Sequence, residues 1–202
     1  MKLDRRFCLL AALLLIGGLA LPASRATLES SMATHMLVQI PLLAIGGVLF
    51  GLAVPPRVQR VILPYNGGGV PGLLLFVFVS SYWMLPRALD GALASPIMEL
   101  AKFFSLPLLA GLTLALSWPR ANLVGRGFIV ANAISMLAVV GWLYRVSPVR
   151  LCNYYLMDQQ VTLGNALLWL ALLLGFAFGA RLFTGAWWEL PPNHPATAAS
   201  PG

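Results

Sequence analysis

The chain has 202 residues, of which 59% are hydrophobic and only 9% charged, with a mean hydropathy of +0.85. So few charges cannot solvate the surface of a folded soluble domain, and the composition defines an integral membrane protein with lipid against its apolar surface. The net charge of +7 comes from thirteen basic residues scattered between apolar runs, a distribution that argues against a nucleic-acid partner and makes them topology signals.

The chain opens on "MKLDRR", an apolar run over residues 7–21, and then "PASRA". This fits a secretory signal with small residues before a cleavage point after Ala26, and it fits a retained first membrane helix. Residues 1–26 are therefore read as a signal peptide or a first span. In either case the start is cytoplasmic and the following residues emerge on the outer side. Next comes "ESSMATHMLVQI", which places Met32, His35 and Met36 at i, i+3 and i+4, on one helix face, with Glu29 one turn earlier.

Five further apolar segments follow, at residues 36–54, 70–85, 100–118, 127–143 and 161–183. Each is near the roughly 20 residues that cross a hydrocarbon core, with 70–85 the shortest. The breaks "VPPRVQR", "LPYNGGGVPG", "LPRALDG", "WPRANLVGRG" and "YRVSPVRLCNYY" carry the Pro, Gly, Asn and Arg of loops. The fold class is all-α, a polytopic transmembrane helix bundle over residues 27–184, with five spans plus the N-terminal signal or sixth span. The tail, residues 185–202, is proline-rich and weakly hydrophobic, and is expected to be disordered and cytoplasmic.

With the start inside, Lys2, Arg5, Arg6, Arg57, Arg60, Arg120, Arg126 and Arg181 fall on the cytoplasmic side, against Arg25, Arg87, Lys102, Arg145 and Arg150 outside. That excess agrees with the positive-inside rule. The same orientation gathers Met32, Met36, Met84, Met98 and Met157 at the outer ends of spans, together with His35, Cys152, Glu29, Asp90, Glu99 and Asp158. Thioether and thiolate sulfur suit Cu(I) and imidazole serves copper in either oxidation state, so this layer is a candidate copper constellation. Met32, His35 and Met36 are the expected ligands, with Met84, Met98, Cys152, Met157 or Asp158 as further ligands or supporting groups. Interfacial packing of methionines around a hydrogen-bonded His35 is the plainer account of the same pattern.

Asp158 suits a helix N-terminus, and Glu99 and Lys102 at i, i+3 suit an ion pair within one helix. Tyr82, Trp83, Trp118, Trp142, Tyr144, Tyr154, Tyr155, Trp187 and Trp188 are expected in interfacial belts. No nucleotide loop, zinc motif or paired nucleophile and base is present, and one membrane-region histidine cannot ligate haem on both faces, so neither an enzyme nor a haem or nucleotide site is expected.

"SMATHMLVQIPLLAIGG" resembles the signature helix of the CtaG-type cytochrome oxidase assembly proteins, a His-Met-x-x-His-Met pattern before Leu, Pro and Gly. "MDQQVTLGNALLW" is similar to that family's second signature. The resemblance covers about thirty residues of the 202. It puts Met32, His35 and Met36 at the family's Met, second His and second Met, and Asp158, Gln159 and Gln160 at its Asp-Gln-Gln. Ser31 stands where the first histidine would be, which removes one implied ligand. The resemblance implies a multi-pass protein of the bacterial inner membrane that supplies copper to a haem–copper oxidase, with an oxidase subunit or a periplasmic copper carrier as partner. An accessory subunit of a respiratory complex and a transporter using Glu99 or Asp158 remain open from the residues alone.

Overall fold

The computed structural model describes residues 4–185, which among themselves form helices and no strand. They are α1 (Arg5–Ala20), α2 (Pro22–Leu28), α3 (Met32–Ala53), α4 (Pro56–Ile62), α5 (Val70–Trp83), α6 (Pro86–Ala94), α7 (Pro96–Ser117), α8 (Leu123–Val146) and α9 (Met157–Phe183). Helices α3, α7, α8 and α9 are each long and apolar enough to cross a membrane. The bent pairs α1–α2, at 70°, and residues 56–83, at 77°, raise the number of spans to six if each pair is one crossing. The expected tail, with Trp187, Trp188 and Glu189, lies outside the described residues apart from its first one.

Local chemistry sets the boundaries. Proline occupies the first turn of α2, α4, α6 and α7, where its missing N–H costs no bond and its fixed φ suits the helix. The Asp4 carboxylate caps α1 through Arg6 N–H, and Asn122 caps α8 through Gly125 N–H at 2.8 Å. Gly68 and Gly69 take positive φ in the turn that leads into α5.

Two helices widen into π turns, α3 over His35–Gln39 and α7 over Ser105–Leu112. Pro107 lies inside the second and Pro41 two residues beyond the first, where each lacks the N–H that would hold an ordinary α turn. The two helices cross where Gly47 lies on the Pro107 backbone and Gly111 on Ala44, Gly47 and Val48. Small residues let the backbones approach there, and in lipid that packing is the main attraction between helices.

Helix α1 packs along α3, α5 along α7, and α8 chiefly along α9. The expected cleavage point after Ala26 falls inside α2, beyond Arg25, which pairs with Glu99 on α7. One end of the bundle joins residues 21–31, 84–102 and 147–160 and holds Glu29, Asp90, Glu99 and Asp158. The opposite end is basic. There Arg5 donates to the Ala53 carbonyl, Arg120 to those of Leu63 and Asn66, and Arg126 to that of Trp118.

Candidate functional site

At the acidic end, His35, Gln39 and Lys102 are all 0% exposed, a placement that polar groups tolerate only when their bonds are made. Lys102, two turns into α7, extends its ammonium to three acceptors: Glu29 Oε1 at 2.8 Å, Gln39 Oε1 at 3.0 Å and His35 Nε2 at 3.1 Å. Three N–H protons meet three acceptors, so the ammonium is satisfied in its charged form. The Gln39 amide also donates to Glu29 Oε1 at 3.1 Å, closing the group.

The remaining ring nitrogen of His35, Nδ1, lies 2.9 Å from the Tyr155 hydroxyl, which donates to the Glu29 carbonyl at 2.9 Å. Because the hydroxyl proton goes to that carbonyl and Lys102 donates to Nε2, the network assigns the ring proton to Nδ1. His35 and Gln39, four residues apart, share the helix face toward Lys102.

Burial by itself would push the Glu29 carboxyl up, but the Lys102 hydrogen bond and charge, assisted by Gln39, outweigh it and hold the carboxyl below its ordinary range. Burial and the Glu29 charge push the Tyr155 hydroxyl up, so it remains a neutral hydrogen-bonding group. Nearby, Asp90 Oδ2 accepts from the backbone and side-chain N–H groups of Asn153, fixing the loop before α9. The Cys152 thiol, pushed up to about 12 by burial and by Asp90, points at the Pro86 carbonyl at 3.6 Å.

The expected ligands fall into two settings, sulfur in an apolar cluster and His35 in the polar network. Met32, His35 and Met36 are all buried, the methionines in an apolar cluster that includes Cys152 and takes in the partly buried Met84 and Met98. Met157 and Asp158 stand outside that cluster. Asp158 is exposed in the first turn of α9 and is no partner of His35, whose two nitrogens are held by Tyr155 and Lys102. The i, i+3 pairing of Glu99 with Lys102 is also replaced. Glu99 binds Arg25 of α2, and Lys102 binds Glu29. Trp83, Tyr144 and Tyr155, expected in an interfacial belt, are core residues, whereas Tyr82, Trp142 and Tyr154 are exposed as that reading requires.

A copper ion on the Met32, His35 and Met36 face needs a nitrogen lone pair from the ring. The Nδ1 proton and the Lys102 ammonium leave none free, so His35 does not fit that role as arranged. Among the described residues, no group of three His, Cys, Asp or Glu side chains is placed to hold a metal.

The segment that begins at Met157 meets the segment around Met32. Met32 N–H donates to Gln159 Oε1 at 3.2 Å, and Gln160 ties Leu151 N–H to the Tyr144 carbonyl. Compared with protein-family models, curated proteins and solved structures, the chain matches none. The fold and the site therefore define an all-α multi-pass membrane protein with a charged, buried polar core at one end.

Proposed function

We propose that this chain is a non-catalytic protein of a bacterial inner membrane that serves the assembly of a haem–copper oxidase from its acidic end, on the outer side, handling Cu(I) through thioether sulfur. The observation that carries this reading is the Met32 to Gln159 hydrogen bond, which joins the two family-like segments across 127 residues of chain. Two stretches that resemble one family's signatures thus occupy one place. The sulfur of Met32 and Met36, with Met84 and Met98 in the same apolar cluster, supplies the soft donors that such a role needs.

A second reading, a non-catalytic accessory subunit of a respiratory complex, draws support from His35, whose ring is wholly committed to holding the bundle together. Cu(I) competition titration of the purified protein separates the two. Binding that weakens in the Met32→Leu, Met36→Leu double variant supports copper handling, since Leu keeps the volume and removes the sulfur. Absence of binding in the wild type puts the accessory subunit first.

A further inference from the structure

We propose that Glu29, Gln39 and His35 form a binding pocket for a primary ammonium group, that Lys102 is its resident occupant, and that His35 therefore serves as a hydrogen-bond acceptor and not as a metal ligand. The geometry carries this. A carboxylate oxygen, an amide oxygen and an imidazole nitrogen converge on one nitrogen at 2.8, 3.0 and 3.1 Å. Those are hydrogen-bond distances, all to the lysine nitrogen.

The acceptors match the three protons of an ammonium in number, and no N–H is left to point at an apolar wall. The pocket is also held from behind. Tyr155 fixes the other ring nitrogen, and the Gln39 amide fixes the carboxylate it shares with the lysine. Arginine is poorly suited to this place, because a planar guanidinium cannot direct three donors at acceptors grouped around one nitrogen. The inference is independent of copper handling on sulfur, and the two can fail separately.

The test has two arms. In the first, Lys102→Ala is purified in detergent and its thermal unfolding is followed against methylammonium chloride and, at equal ionic strength, tetramethylammonium chloride. Methylammonium can place its three N–H groups in the vacated pocket and should raise the midpoint saturably. Tetramethylammonium has no donor and should not. Equal responses to both salts would overturn the pocket.

The second arm needs no substitution and decides the matter if Lys102→Ala does not fold. Nitrogen-15 NMR of wild-type protein labelled at histidine should show a neutral His35 ring protonated at Nδ1, unchanged by one equivalent of Cu(I). A copper-induced shift of the Nε2 resonance would make His35 a ligand and sink the proposal. Loss of sulfur-borne Cu(I) binding with an unchanged His35 spectrum would remove only the copper reading.

Discussion

The Lys102 ammonium donates to Glu29 Oε1 at 2.8 Å, binding residues 73 apart in sequence, and the lysine has no exposed surface. Taking away one partner of a buried pair leaves the other charge uncompensated, at a cost of about 3–5 kcal/mol. Glu29→Gln should therefore destabilise the protein by an amount in that range, because it leaves the fully buried Lys102 charge without its counter-ion. Lys102→Met should cost less, because the carboxylate it leaves is partly exposed and keeps the Gln39 amide. In a double-mutant cycle the combined variant should lose less than the sum of the two. Strictly additive losses in thermal unfolding would mean that the pair contributes no coupling.

The Glu29 carboxyl lies below its ordinary value of 4.5, with burial opposing and the Lys102 hydrogen bond and charge prevailing. A group depressed in the folded state contributes its full stability above the unfolded value and loses it as pH falls through the folded value. Wild-type stability attributable to Glu29 should hold from neutrality down to about pH 5 and decline below about 4.5. Melting curves across that window should lose this component of their slope in Glu29→Gln. An identical acid slope in the variant would assign the decline to other carboxyls.

The α3–α7 crossing is as close as the backbones allow. A methyl group at position 111 would run into the Ala44 carbonyl and the Gly47 backbone, so Gly111→Ala should cost about 1–3 kcal/mol as an overpacked contact. Gly127, on α8, faces open space. Gly127→Ala should be neutral or stabilising by up to about 1 kcal/mol through helix propensity. Thermal unfolding of the two variants side by side checks the contrast.

Cys152 should be inert. With its thiol pushed up to about 12, about one molecule in ten thousand is a thiolate at pH 8, and the thiolate is the reacting form. Maleimide should label folded protein at this position only slowly, and readily after denaturation. Rapid labelling of the folded form at pH 8 would contradict the buried loop.

The two ends can be assigned to membrane sides by labelling. Val149, in the loop before α9, and Val124, at the start of α8, are 61% and 77% exposed and lie at opposite ends. In a Cys-free background, Val149→Cys should react with an impermeant reagent on intact cells, and Val124→Cys only after permeabilisation. The reverse pattern would put the acidic end in the cytoplasm.

The helices were legible in the sequence because membrane spans announce themselves locally. All six apolar runs coincide with helices of the bundle, and the proline-rich breaks became the short α2, α4 and α6 with their turns. The site was only half legible. Met32, His35 and Met36 could be picked out by spacing, with Glu29 one turn earlier, but nothing in sequence says that Lys102 and Tyr155 converge on His35.

Helix-surface spacing gave Lys102 a partner in Glu99, and tertiary packing gave it Glu29 instead, while Arg25 took Glu99. The available signal was the lysine itself. A cation within an apolar span is costly enough to require a buried partner from elsewhere in the bundle. Tyr155 resembled its exposed neighbour Tyr154 in sequence, and only the fold of the loop separates an interfacial ring from the one that orients His35.

The order of these residues along the chain bears on biosynthesis. Glu29, His35 and Gln39 leave the ribosome before Lys102, so the helix that carries the lysine enters the bilayer after its acceptors. A lysine at the centre of an isolated span meets an insertion penalty of about 2.5–3.5 kcal/mol; Lys102, nearer the end of its span, meets less, and the waiting acceptors offset part of it. Tyr155 arrives last, 120 residues after the ring it orients. The cation and its counter-ion are thus both made by the middle of the chain, and the histidine ring acquires its final partner only later, as the last helix is made.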